Sequence, residues 1–68
     1  MARRLHIASL RPGEVRLADE PAHHARDVLR LEPGAPVELF DDAGNTAAAT
    51  LLRVTPREVV AQIGEVTP

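Results

Sequence analysis

A chain of 68 residues has room for one small domain, and a domain of that size buries only about 60% of the surface its unfolded chain exposes. With no cysteine and one aromatic residue, Phe40, the composition excludes disulfide staples, thiolate metal sites, a core of stacked rings and a nucleic-acid surface built on stacked bases. A formal net charge of −2 does not advertise a polyanionic partner through bulk charge.

The apolar content is 44%, carried by Ala, Leu, Val and Ile, which suits a globular domain and not a disordered chain. No apolar run approaches the roughly 18 residues of a membrane span. Met1-Ala2-Arg3-Arg4 is followed by no apolar stretch of leader type, so no signal peptide and a cytoplasmic location are expected. The charge is unevenly spread. Residues 1–30 carry six Arg against four acids, whereas residues 31–68 carry two Arg against six acids. Any contact with nucleic acid must therefore be local and belong to the amino-terminal half.

Arg3 to Ile7 reads as a first strand, with Leu5 and Ile7 on one face and His6 on the other. Leu10-Arg11-Pro12-Gly13 is a turn. Glu14 to Ala18 alternates, with Val15 and Leu17 directed inward, and makes a second strand. The period then changes. Asp19 or Glu20 can cap a helix whose first turn holds Pro21, and Ala22, Ala25, Val28 and Leu29 form its apolar stripe. Pro33-Gly34 ends that helix, with Gly34 as the left-handed residue. Val37 and Leu39 alternate in a third strand, Asp41 to Asn45 has the composition of a hairpin turn, and Thr46–Val54 and Arg57–Val66 are two more strands broken at Thr55-Pro56. The order β-β-α-β-β-β predicts a mainly β fold: a small five-stranded barrel capped by one helix over about residues 20–31. Leu51-Leu52 and Val59-Val60 put apolar side chains on both faces of their strands, which implies packing against something outside this chain.

His23-His24 is the most conspicuous pair. Adjacent helical residues diverge by about 100°, so the two cannot chelate one ion together. A surface and a capping role, a polar contact to RNA, and metal or acid–base work, with His6 joining one of them, stay open. His23, Arg26 and Arg30 fall within a sector of about 60° at helical spacing, which is either a solvated face interleaved with Asp27 or a face that grips phosphate through guanidinium groups. Arg3 and Arg4 would stand at the edge of the first strand. Catalytic groupings are absent: the single Ser is Ser9, the four glycines are isolated, and Asp41-Asp42 is accounted for by turn chemistry. The chain by itself is expected to be non-catalytic.

Glu20-Pro21-Ala22-His23-His24-Ala25-Arg26-Asp27-Val28-Leu29-Arg30-Leu31-Glu32-Pro33-Gly34, followed by Val37-Glu38-Leu39-Phe40-Asp41, resembles the amino-terminal region of the ribosomal RNA small subunit methyltransferase E family. The likeness covers essentially the whole chain from Arg3 to about Val66. Leu5-His6-Ile7 departs from the family's aromatic first strand, Asp27 stands where a basic residue is common, and Ala35 replaces an Asp after Gly34. The resemblance implies a PUA-like RNA-binding domain over residues 1–68, with a SPOUT-type catalytic domain following residue 68. It further implies a parent enzyme that transfers a methyl group from S-adenosylmethionine to N3 of a uridine in 16S rRNA, works on the small ribosomal subunit and forms a homodimer. This chain would hold no cofactor and no metal. On that reading Arg3, Arg4, His23, Arg26 and Arg30 form one RNA-facing patch. The alternative from composition alone is a small β-barrel that serves as a protein-interaction or folding module without RNA affinity.

Overall fold

The computed structural model describes residues 3–68; Met1 and Ala2, where the leader reading begins, lie outside the described residues. The chain forms β1 (Arg3–His6), β2 (Gly13–Arg16), a short helix α1 (Asp19–His23) continued by one π-helical turn (His24–Val28), β3 (Pro36–Phe40), β4 (Thr46–Val54) and β5 (Val59–Thr67). The strands build one mixed sheet in the order β1-β3-β4-β5-β2. β1 runs parallel to β3, and every other neighbouring pair is antiparallel. The mainly β architecture expected for a small PUA-like domain is therefore present, with β1 and β2 at the two ends of the strand order.

Period-two alternation builds the core directly. Leu5 and Ile7, Val37 and Leu39, Ala47, Ala49 and Leu51, and Val59, Ala61 and Ile63 are all buried on one side of the curved sheet. Leu10, Leu17, Ala22 and Ala25 complete the cluster, so the helical segment seals the core. That core contains no aromatic ring, and alanines from β4, β5 and the helix let the layers approach closely. Two irregularities bend the long β4–β5 ladder, between Ala47 and Ala49 and between Leu51 and Arg53. The second inserts Leu52 as an extra residue on β4 and turns it outward, 45% exposed. The expectation of apolar groups on both faces thus holds for Leu52, whereas Val60 is buried at 8% exposure.

The helix departs from the sequence expectation in three ways. It spans Asp19–His23 and His24–Val28 rather than residues 20–31. Ala18 occupies the N-cap position without a side-chain cap, and Asp19 and Glu20 lie in the first turn instead, where the helix dipole favours negative charge. Its second turn is π-helical, with the Leu29 amide donating to the His24 carbonyl at 2.9 Å. That wider turn shifts the phase of the apolar stripe: Ala22 and Ala25 stay buried, Leu29 is half-buried against the core, and Val28 turns out to 57% exposure. Val28 was expected on the buried stripe and is not there.

The end of the helix is set earlier than Gly34. Arg30 adopts φ 54°, and the Leu31 amide reaches back to the Ala25 carbonyl at 2.9 Å. This bond is one residue wider than the six-to-one bond of a Schellman motif, in keeping with the π-helical turn it closes, and it leaves a non-glycine residue in the left-handed position. Gly34, at φ 92°, instead shapes the entry to β3, where its amide donates to the Leu51 carbonyl at 2.7 Å.

Candidate nucleic-acid interface

The outer face of β1 and β3 carries what the core excludes. β1–β3 register sets Arg4 opposite Glu38 and His6 opposite Phe40, all on the side away from Leu5 and Leu39 because successive side chains alternate. Arg4 pairs with Glu38 at 2.7 Å, and its guanidinium carbon lies 4.8 Å from the centroid of the Phe40 ring. His6 meets the same ring edge-on, with centroids 5.4 Å apart and planes at 60°. Its Nε2 lies 2.9 Å from Asp42 Oδ1.

Between β1 and α1 lies a cleft of about 450 Å³ that wraps the strand: Arg4, His6 and Phe40 from the outer face and Leu5 and Ile7 from the core face line it together with Glu20, Pro21, His23 and His24 of the helical segment. His23 Nδ1 lies 2.9 Å from the Asp27 carboxylate one helical turn away, and Arg26 Nε donates to the same oxygen at 3.1 Å. Asp27 is thereby held below the usual carboxylate range, chiefly by the Arg26 hydrogen bond and partly by His23. Arg26 also donates to the Thr55 carbonyl at 3.1 Å, which ties the helical segment to the β4–β5 turn.

The five residues expected to share one patch separate into distinct settings. Arg4 and His23 line the same cleft. Arg3 falls on the opposite face of β1, at the rim next to Leu5 by alternation, and is exposed. Arg26 is half-buried, with 26% of its side chain exposed, and is committed to Asp27 and Thr55. Arg30 is exposed just beyond the helix. Arg3 and Arg30 are in no ion pair among the described residues.

Sequence reasoning missed His6, His24 and Phe40 as members of one cleft. The parallel β1–β3 pairing that joins them connects segments over thirty residues apart and leaves no local signal. Asp41 acts as a structural anchor. Its carboxylate accepts the amides of Ala43 and Asn45 and the Asn45 side-chain amide, each at 3.0 Å, and more distantly the Leu10 amide at 3.4 Å. Those bonds, led by Asn45, hold its carboxyl below the usual range. Among the described residues no three metal-ligating side chains cluster, and no helix is long and apolar enough to cross a membrane.

The family profile of the RNA methyltransferase PUA domain matches residues 17–64. Among solved structures, a predicted methyltransferase from Legionella pneumophila with bound SAM superposes with TM-score 0.90 at 28% identity, covering 98% of this chain and 28% of the other. A ribosomal RNA small subunit methyltransferase E from Neisseria gonorrhoeae, bound to S-adenosyl methionine, gives 0.85 at 28% identity, with 98% and 29% covered. A predicted RNA methyltransferase from Thermotoga maritima gives 0.76 at 28% identity, with 96% and 29% covered. No curated protein matches the chain by sequence. The chain spans less than a third of the length of these structures. With more than half of its residues inside the family profile and the five-stranded architecture in place, this chain belongs to the RNA methyltransferase PUA domain family.

Proposed function

We propose that the chain is the RNA-recognition domain of an S-adenosylmethionine-dependent 16S rRNA (uridine-N3) methyltransferase, positioning small-subunit rRNA for a separate SPOUT-type catalytic domain that follows residue 68. The observation that carries this reading is the match of 98% of the chain to the gonococcal ribosomal RNA methyltransferase at 28% identity. The parent would be a cytoplasmic homodimer, and its second domain and second protomer would add avidity to a weak single-domain contact.

The chemistry of the surface supports a positioning role. Arg3 and Arg30, exposed and without carboxylate partners among the described residues, are available to phosphate oxygens. Arg4 and His23 line the cleft, and Arg26 ties the helix to the β4–β5 turn through Thr55. Local charges of this kind work within an acidic domain because screening confines each to a range of about 8 Å at physiological salt. The methyl donor does not fit these residues: the glycines stand apart, Gly34 and Gly44 at turns, Gly13 at the start of β2 and Gly64 inside β5. It belongs to the catalytic domain.

The test is methyl transfer by the full-length protein to small ribosomal subunits, with labelled S-adenosylmethionine. Arg3→Ala combined with Arg30→Ala should raise the apparent KM for the subunit, flatten its salt dependence and leave donor binding intact. Absence of methylation of small-subunit rRNA by the wild type would overturn the substrate; wild-type kinetics in the double variant would overturn the phosphate-contact role of the two arginines.

A further inference from the structure

The nitrogen-bearing side chains on the walls of the β1–α1 cleft mostly have carboxylate partners already. Arg4 is paired with Glu38 at 2.7 Å, His6 with Asp42 at 2.9 Å and His23 with Asp27 at 2.9 Å, and Glu20 adds a carboxylate to the lining. A phosphate entering there would meet Glu20 in the lining and would compete with the three carboxylates that already hold Arg4, His6 and His23, and so would gain little. What the cleft offers instead is a polarisable surface. The Arg4 guanidinium covers Phe40 at 4.8 Å, and His6 buttresses the ring from its edge at 5.4 Å. Arginine planes and aromatic rings are the surfaces on which unstacked RNA bases lie. The volume, about 450 Å³, falls in the range of small-ligand sites, roughly 300–1,000 Å³. It accommodates one nucleotide and not a duplex. His23 and His24 on the facing wall present ring nitrogens that donate or accept according to tautomer, as a base edge requires.

Resting on the RNA-recognition reading, we infer that this cleft seats a single unpaired nucleotide, its base stacked on the Arg4–Phe40 pair and its polar edge read by His23 and His24. Phosphate charge is met outside it, by Arg3 and Arg30. A lone aromatic cannot support a row of stacked bases, but it suffices for one. Stacking is nearly independent of salt and phosphate contact is not, so the two contributions separate experimentally.

Fluorescence anisotropy of the 68-residue chain with a labelled uridine hexamer, and with an RNA duplex of equal phosphate number, measured across a salt series, provides the test. Phe40→Leu keeps an apolar side chain and removes the ring. It should weaken hexamer binding roughly tenfold, in line with the loss of one stacked base, with an unchanged salt slope and unchanged duplex affinity. Arg30→Ala should instead flatten the slope for both RNAs. Because Phe40 is half-buried, the exposed His24 supplies a second variant: His24→Ala should weaken the hexamer several-fold and leave the duplex alone, with the fold checked by circular dichroism. Wild-type hexamer affinity in both Phe40→Leu and His24→Ala, with a normal salt slope, overturns the nucleotide cleft and leaves RNA recognition standing. Failure of the wild-type chain to bind either RNA overturns both.

Discussion

Arg30→Gly should stabilise the domain, although it removes a charged side chain and adds no contact. Arg30 sits at φ 54°, the left-handed region, where the Cβ of an L-residue costs about 1–2 kcal/mol. Glycine escapes that strain but gives back about 0.5–1 kcal/mol through the larger freedom of the unfolded chain. The net gain is centred on about 0.75 kcal/mol, or about 3–6 °C in Tm for a domain of this size. The surrounding geometry does not depend on the side chain, because the closing bond runs from the Leu31 amide to the Ala25 carbonyl at 2.9 Å. Thermal melts followed by circular dichroism should therefore rank Arg30→Gly above wild type. Arg30→Ala, which keeps the strain and loses only the guanidinium, should stay within about 0.5 kcal/mol of wild type. An Arg30→Gly protein that melts no higher than Arg30→Ala would refute the strain argument. A strained arginine kept where glycine would fit better is the pattern expected when the guanidinium serves binding, so the same Gly variant should lose RNA affinity as it gains stability.

Three further outcomes follow from the packing and the turns. Leu51 is fully buried while its neighbour Leu52 is 45% exposed on the bulge; Leu51→Ala should cost about 2–5 kcal/mol and leave the domain largely unfolded by urea titration, whereas Leu52→Ala should stay within about 0.5 kcal/mol. Asp41 has its carboxyl lowered from 3.8 by its turn hydrogen bonds. Its contribution to stability is complete above that unfolded value and is lost as the pH falls through the lower folded one. Asp41→Asn should consequently lower the urea midpoint at pH 7 and show a smaller further drop between pH 5 and pH 2 than wild type; equal acid sensitivity would refute the role given to this carboxylate. The 68-residue chain alone should transfer no methyl group from labelled S-adenosylmethionine to small-subunit RNA, and measurable turnover would contradict its assignment as a recognition domain.

The strands were legible in the sequence because a one-sided core writes itself as alternation, and Leu5, Ile7, Val37, Leu39, Val59, Ala61 and Ile63 are buried as that alternation predicts. The hairpin at Asp41–Asn45 was legible from turn composition, and Asp41 does cap it. The helix was legible in place but not in phase. The π-helical turn and the outward Val28 carry no local mark in the sequence. The bulge at Leu52 was equally silent, since Leu51-Leu52 reads the same whether the second residue faces a partner or an extra position on the strand. The candidate site was legible only in pieces. Helical spacing grouped His23, Arg26 and Arg30, but it could not foresee that Arg26 would be drawn to the Thr55 carbonyl. Nor could it foresee that strand pairing would bring His6 and Phe40 to the helix.

The most direct measurement of the central claim is ultraviolet crosslinking of the full-length protein to small ribosomal subunits, followed by mass spectrometry of the peptide–nucleotide adducts. Adducts are expected within residues 1–68, on the peptides that carry Phe40, His23-His24 and Arg30. Adducts confined to the remainder of the protein, with none in this domain, would contradict it.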